Sequence, residues 1–202
     1  MIHMVIRSLG KIDMPFEKCI SIKTVMSDFN KEWFIAGGWA IDLFLGKETR
    51  DHHDIEIGIF REDQIELKHY LRNWECKKVL QGEFNTWHSE YLELPIHEIH
   101  AINHMNKCEL EILLNESDAE NWRFRRDLAI FCPLASVWRY SDTGIPYLAP
   151  EIVLLYKVKN TREKDHKDFL SVKDVLDTKQ KNWLIQAIKI HEPKHEWLQL
   201  LG

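Results

Sequence analysis

The sequence predicts an α/β (α+β) protein in which a mixed twisted sheet is followed by a small helical domain. Residues 55–59 alternate isoleucine with other side chains, and residues 107–115 repeat an alternation of this kind, which is typical of strands with one buried face. From Gly144 onward the chain changes to long apolar stretches suited to helices. We therefore expect two units, residues 1–145 around the sheet and residues 146–202 as the helical domain.

Hydrophobic spacing and turn residues predict the other elements in order. The pattern predicts helices over residues 15–30, 39–45, 61–73, 152–159 and 164–176, strands over 33–36 and 74–80, and a helical tail over 183–201. Gly46 ends the second helix, and Pro150 precedes the buried one. The helix from Lys164 is expected to bury a stripe formed by Phe169, Val172, Val175 and Leu176. Residues 82–106 show no clean period.

Composition limits the class of protein. The chain has 202 residues, 45% of them hydrophobic, which is ordinary for a globular protein with a real core. A formal net charge of −5 argues against a general nucleic-acid binder and suits a cationic small molecule. Four widely separated cysteines indicate reduced thiols. Residues 1–7 lack a signal peptide's apolar core, and no apolar run approaches membrane-spanning length, so we expect a cytoplasmic protein; its oligomeric state stays open.

A pair of glycines follows the first predicted strand. Gly37 and Gly38 stand between the apolar run 33–36 and the helix 39–45. Glycines let the backbone approach a ligand closely, and N–H groups at a helix start attract phosphate. The alternative interpretation is a simple turn, because paired glycines alone predict no more than that.

Two carboxylates follow on the next predicted strand. Asp54 and Glu56 share one face of that strand, and Ile55, Ile57 and Ile59 share the other. Residues two apart on a strand lie about 7 Å apart at their backbones, so both side chains are able to reach one cation. The alternative is a strand with one solvated face.

These residues resemble the core of a known family. The segments concerned are Gly37–Asp42, Leu45–Gly46, Thr49–Arg50 and His53–Ile57. They look like the aminoglycoside and lincosamide nucleotidyltransferases, a branch of the polymerase-beta-like nucleotidyltransferase superfamily, and the resemblance covers most of the chain from Trp33. That family joins a Gly-Gly or Gly-Ser turn to an Asp-x-Asp pair. This chain departs from it at Glu56, whose longer side chain is still able to bind Mg²⁺.

The resemblance also implies a third carboxylate and a nucleotide site. Glu111-Ile112-Leu113-Leu114 matches the family's acidic residue followed by Val or Ile and two leucines, so Glu111 is the expected third metal ligand and Glu109 the alternative. The nucleotide-binding residues implied are Gly37, Gly38, Arg50, His53, Lys157 and Lys164. The two lysines have helix-surface charges as their alternative interpretation.

Two further patterns remain open. Arg125 and Arg126, in a basic and aromatic segment that also resembles the family, are expected either to contact phosphates or to pair with acidic residues. His97, His100 and His104 would align on one helix face as a zinc site. The flanking residues instead suit short strands, and that places these histidines in packing or substrate contacts.

The resemblance implies an activity. We expect a Mg²⁺-dependent enzyme that transfers a nucleoside monophosphate, AMP, from a nucleoside triphosphate, ATP, to a hydroxyl of a small acceptor such as an aminoglycoside or lincosamide antibiotic. Asp54, Glu56 and Glu111 would hold the metal, and Glu111 would also accept the hydroxyl proton. The alternatives are a catalytically weak nucleotide-binding member and a protein-modifying or antitoxin-like nucleotidyltransferase.

Overall fold

The structure, a computed structural model, describes residues 14–202. Residues 1–13, on which the expectation of no signal peptide rests, lie outside the described part. The helices are α1 Glu17–Val25, α2 Gly37–Leu45, α3 Gln64–Tyr70, α4 Pro150–Lys157, α5 Glu163–Val172, α6 Thr178–His191 and α7 Trp197–Leu201. The strands are β1 Trp33–Ile35, β2 Glu56–Phe60, β3 Glu75–Leu80, β4 Glu83–Thr86, β5 Glu98–Asn103, β6 Cys108–Ser117, β7 Asn121–Arg123, β8 Phe131–Pro133, β9 Trp138–Tyr140 and β10 Pro146–Leu148.

The sheet is mixed, which confirms the predicted fold class. Its main path runs β4-β3-β5-β6-β2-β1-β10-β9, and β7 and β8 extend from β6. The pairs β2–β6 and β1–β10 are parallel, and the other pairs are antiparallel. The strand β2 therefore lies near the middle of the sheet, with β6 beside it.

Burial follows the predicted faces of the central strands. Ile57 and Ile59 of β2 and Ile112 of β6 are completely buried, as the alternating pattern predicts. The helix α4 has Pro150 in its first turn. Its own side chains are apolar on almost every side, and residues 150–155 are buried accordingly. This helix packs on α2, so the carboxyl-terminal helices cover the glycine end of the sheet.

The structure decides between the two interpretations of the histidine-rich segment and corrects one buried position. Residues 98–103 form a strand in which Ile99 and Ala101 are buried, so the expected short strand is confirmed and the alternative helical zinc face of His97, His100 and His104 is wrong. Val175 is exposed because it lies beyond the end of α5.

The boundary between the two predicted units falls next to an unexpected strand. The strand β10, just after residue 145, pairs in parallel with β1 and is part of the sheet. The division into residues 1–145 and 146–202 stays a prediction. Within residues 14–202, no helix has the length and apolar character needed to span a bilayer.

Candidate functional site

A cleft of about 600 Å³ lies where β2 and β6 face the starts of α2 and α5 and one side of α4. Its lining includes all the predicted nucleotide-site residues and the three predicted metal ligands: Gly37, Gly38, Arg50, His53, Lys157, Lys164, Asp54, Glu56 and Glu111. The cleft also contains Arg125 and Arg126, whereas Glu109 does not line it. A cavity of this size suits a small molecule or nucleotide.

The glycine pair is required by what lies against it. Gly37 has φ +60°, and a Cβ atom built there would lie 1.4 Å from the Oε2 of Glu56. A Cβ atom on Gly38 would lie 2.3 Å from the Nη2 of Arg50 and 2.4 Å from the Cε1 of His52. These glycines therefore allow three cleft side chains to lie directly on the backbone at the start of α2. No side chain caps this helix, so the amino end of its dipole has no side-chain acceptor.

Glu56 and Glu111 are direct neighbours on the parallel strands β2 and β6. Burial raises the pKa of Glu111 to about 7, and the negative charge of Glu56 contributes. Burial also raises the pKa of Glu56, although Lys157 opposes the shift. Neither carboxylate accepts a hydrogen bond from residues 14–202. Two crowded carboxylates without donors form a site that a cation would relieve.

Asp54 and Glu109 occupy different positions from this pair. Asp54 was predicted to lie on the strand with Glu56, but β2 begins only at Glu56, so Asp54 is exposed in a bend two residues before the strand. The charge of Asp54 contributes to the raised pKa of Glu111. Glu109, the alternative third ligand, lies on the same face of β6 as Glu111 but is exposed. Of Glu109 and Glu111, the residue that the sequence pattern selected, Glu111, is the one that lines the cleft.

Two of the predicted cationic residues are held by buried carboxylates. Arg50 donates two hydrogen bonds to Asp168, at 2.9 and 3.1 Å. Lys157 Nζ lies 2.6 Å from an oxygen of Asp165 and 3.0 Å from one of Asp168, and both aspartates are almost completely buried. These ion pairs connect the loop before β2 to α4 and α5. They also neutralise much of the positive charge of Arg50 and Lys157 within the protein.

Four other basic side chains of the cleft have no such partner. Lys164 and His53 are exposed at its rim. Arg125 and Arg126 lie over the Tyr156 ring, with guanidinium carbons 5.3 and 5.6 Å from its centroid. Among residues 14–202 neither arginine pairs with a carboxylate, which contradicts the alternative of acidic pairing, and burial lowers the pKa of both. Arg126 donates one hydrogen bond to the backbone carbonyl of Tyr156, at 2.9 Å. The positive charges of both arginines thus have no acidic partner and are available to an anion.

Sequence reasoning missed the anchor of the loop that leads to β2. Asp42 is completely buried in α2 and accepts hydrogen bonds from the backbone and hydroxyl of Thr49, at 3.1 and 2.5 Å. His52 Nε2 lies 2.7 Å from Oδ2 of Asp42, the oxygen that also accepts from the Thr49 backbone, and the His52 ring packs at a tilt against Trp39. A single acidic residue inside an otherwise apolar helix was the available signal, because a buried carboxylate needs partners.

Sequence and structure comparisons place these features among known proteins. A sequence model of the family "Aminoglycoside-2''-adenylyltransferase" matches residues 18–172. A lincosamide resistance protein from Staphylococcus haemolyticus is 25% identical over 147 residues, which is 71% of this chain and 84% of that protein.

Two solved structures show the same fold. One is ANT(2'')-Ia in complex with adenylyl-2''-tobramycin, with a TM-score of 0.58 and 15% identity over 86% of this chain and 98% of that one. The other is the lincosamide antibiotic adenylyltransferase LnuA with lincomycin bound, with a TM-score of 0.55 and 18% identity over 79% of this chain and 98% of that one.

Proposed function

The chain belongs to the aminoglycoside-2''-adenylyltransferase family and is a nucleotidyltransferase, and we propose that it transfers AMP from ATP to a hydroxyl group of an aminoglycoside or lincosamide antibiotic. The observation that carries this proposal is the register pair Glu56 and Glu111, set beside a glycine turn in a cleft with two unpaired arginines. The names of the similar proteins, a lincosamide resistance protein and enzymes bound to lincomycin or adenylyl-tobramycin, support the acceptor class.

The acidic residues fit a magnesium ion. Asp54, Glu56 and Glu111 all line the cleft and offer only oxygen donors, which Mg²⁺ prefers. Glu56 and Glu111 have raised pKa values and no hydrogen-bond donors, so a cation would remove an existing repulsion. When bound, Mg²⁺ supplies neutralisation of phosphate charge. We therefore propose these three residues as its ligands.

The remaining side chains take roles that follow from their partners. Glu111, whose pKa lies near 7, is suited to accept the proton of the acceptor hydroxyl, because a base works best when its pKa is near the operating pH. Arg125 and Arg126 are proposed to contact the phosphates, because no carboxylate neutralises them. Gly37 and Gly38 let the nucleotide approach the start of α2.

The other predicted nucleotide-site residues differ in whether their side chains are already paired with carboxylates of the protein. Lys164 and His53 are exposed at the cleft and are proposed to reach the triphosphate. Arg50 and Lys157 keep a place in the nucleotide site, but their ion pairs with Asp168 make them mainly supports of the cleft wall. We also propose a cytoplasmic location, where ATP is present and cysteines stay reduced, as the four free thiols require.

The test is pyrophosphate release with ATP and Mg²⁺, using tobramycin and lincomycin as acceptors. Glu111→Gln is expected to lose most of the acceptor-dependent release, while Glu109→Gln, on the same face of β6 but outside the cleft, should retain it. Equal loss in both variants, or acceptor-dependent release without Mg²⁺, would contradict the proposal.

One observation favours a second candidate. Glu56 stands where the family has aspartate, and its carboxylate lies over the backbone of Gly37, so its position differs from that of a shorter side chain. A nucleotide-binding protein with little transfer activity is consistent with that position. Tight ATP binding in calorimetry without pyrophosphate release from any acceptor would support this candidate, and mass spectrometry of co-expressed proteins would detect a protein acceptor.

A further inference from the structure

We propose that Glu98, His100 and Glu111 form a binding site for a divalent transition metal such as Zn²⁺, which shares only Glu111 with the proposed magnesium site. One nitrogen of His100 and one oxygen from each glutamate all lie within 4.8 Å of one another. Among residues 14–202 this is the one group of three or more such ligands that meets this spacing. Asp54 and Glu56 are not members of it.

The sheet register brings these three residues together. Glu111 of β6 is the direct partner of His100 of β5, and Glu98 stands two residues earlier on the same face of β5. The opposite face of β5 is buried through Ile99 and Ala101, so His100 and Glu98 cannot turn away from the cleft side without exposing the core. The backbone therefore fixes the cluster before any metal binds.

The distances suit one ion after a small adjustment. The Oε1 of Glu98 lies 2.7 Å from the Nε2 of His100, and the Oε1 of Glu111 lies 4.0 Å from its Nδ1. Ligands about 2.0–2.2 Å from a zinc ion lie roughly 3–4 Å from one another. The three ligand atoms lie within 4.8 Å of one another, so they must move closer together to share an ion. The two glutamates approach different ring nitrogens and an ion binds one of these, so one glutamate side chain or the ring must also rotate. All three side chains are a quarter to a third exposed, which gives an ion access and leaves the side chains room to move.

The ligand chemistry decides which ion fits. Imidazole nitrogen binds Zn²⁺ and Co²⁺ well, whereas Mg²⁺ prefers oxygen ligands throughout. The negative charge is also in excess, because Glu111 accepts no hydrogen bond and the carboxylate of Glu56, largely buried on the next strand, accepts none either. Glu98 is the one carboxylate of the three that the imidazole already contacts at hydrogen-bond distance.

Cobalt is a direct probe, because Co²⁺ absorbs visible light with an intensity that reports its ligands. The metal-free protein is expected to bind one Co²⁺ with a visible band that Zn²⁺ abolishes and an excess of Mg²⁺ does not. His100→Asn is expected to weaken Co²⁺ binding by about tenfold or more. Removing a residue that only hydrogen-bonds a metal ligand already lowers affinity by about tenfold, and removing a ligand should cost at least as much. Glu98→Gln should weaken it as well.

The matched control is His104→Asn. His104 also lies close to a glutamate, with its Nε2 2.6 Å from Glu75, but it has no second carboxylate within reach and is largely exposed. This variant should bind Co²⁺ as the wild type does. Equal Co²⁺ affinity in the wild type and His100→Asn, or displacement of Co²⁺ by Mg²⁺, would overturn the proposal. Unfolding of each variant without metal checks that the fold is intact.

Zinc bound at this site would take Glu111 away from the acceptor hydroxyl and is therefore expected to inhibit transfer. That second readout rests on the proposed function, whereas the Co²⁺ band does not. Loss of the band overturns the metal site alone, and a band with no inhibition by zinc counts against the catalytic role of Glu111.

Discussion

The pH dependence of stability in Glu111→Gln tests the crowded carboxylate pair most directly. Burial and the neighbouring Glu56 raise the pKa of Glu111 from 4.5 to about 7 in the folded protein. The folded state therefore binds more protons than the unfolded state between these values, and stability falls as the pH rises through that window. Glutamine is neutral at every pH and lacks this loss.

The size of the effect follows from the displaced pKa. Each pKa unit corresponds to about 1.36 kcal/mol. A pKa raised from 4.5 to about 7 therefore lowers the free energy of unfolding by roughly 3 kcal/mol once the pH exceeds both pKa values. The Glu111 side chain is 26% exposed, so solvent screening reduces this figure, and we expect about 1–3 kcal/mol. Relative to the wild type, Glu111→Gln should thus gain stability as the pH rises.

Urea unfolding with a chelator present, at pH 4.5 and at a pH above 7, measures this difference. The matched control is Glu109→Gln, which changes an exposed carboxylate on the same strand face and should show a smaller dependence on pH. A difference between wild type and Glu111→Gln that stays constant with pH, or that favours the wild type above pH 7, would refute the interpretation of Glu56 and Glu111 as a repelling pair.

The remaining predictions concern the frame of the cleft. Asp168→Asn leaves Arg50 without its buried carboxylate and Lys157 with Asp165 alone, and it should lower the free energy of unfolding by about 3–5 kcal/mol in urea. Asp174→Asn removes an exposed ion pair and should change little, so equal effects would contradict a structural network. Gly37→Ala should lower the melting temperature more than Gly46→Ala: both glycines have positive φ, but only at Gly37 does the new Cβ meet another side chain, Glu56. Equal losses would mean that Glu56 moves aside freely.

Local sequence patterns were sufficient to predict the strands that carry Glu56 and Glu111. Alternation with period two predicted β2 and β6, and Gly46 and Pro150 correctly marked the end of α2 and the start of α4. These features depend on residues a few positions apart, so the sequence alone determines them. The family resemblance, confirmed by the match over residues 18–172, added the expected third carboxylate on β6.

Tertiary structure decided which of these residues meet. Glu56 and Glu111 become neighbours only because β2 and β6 pair in parallel, and Arg50 reaches Asp168 across 118 positions of the chain. The sequence favoured a short strand in the histidine-rich segment but not its partners, because the strand obtains its backbone hydrogen bonds from the distant β3 and β6. That pairing placed His100 opposite Glu111. Contacts between distant segments depend on how whole elements pack, and no local pattern records that packing.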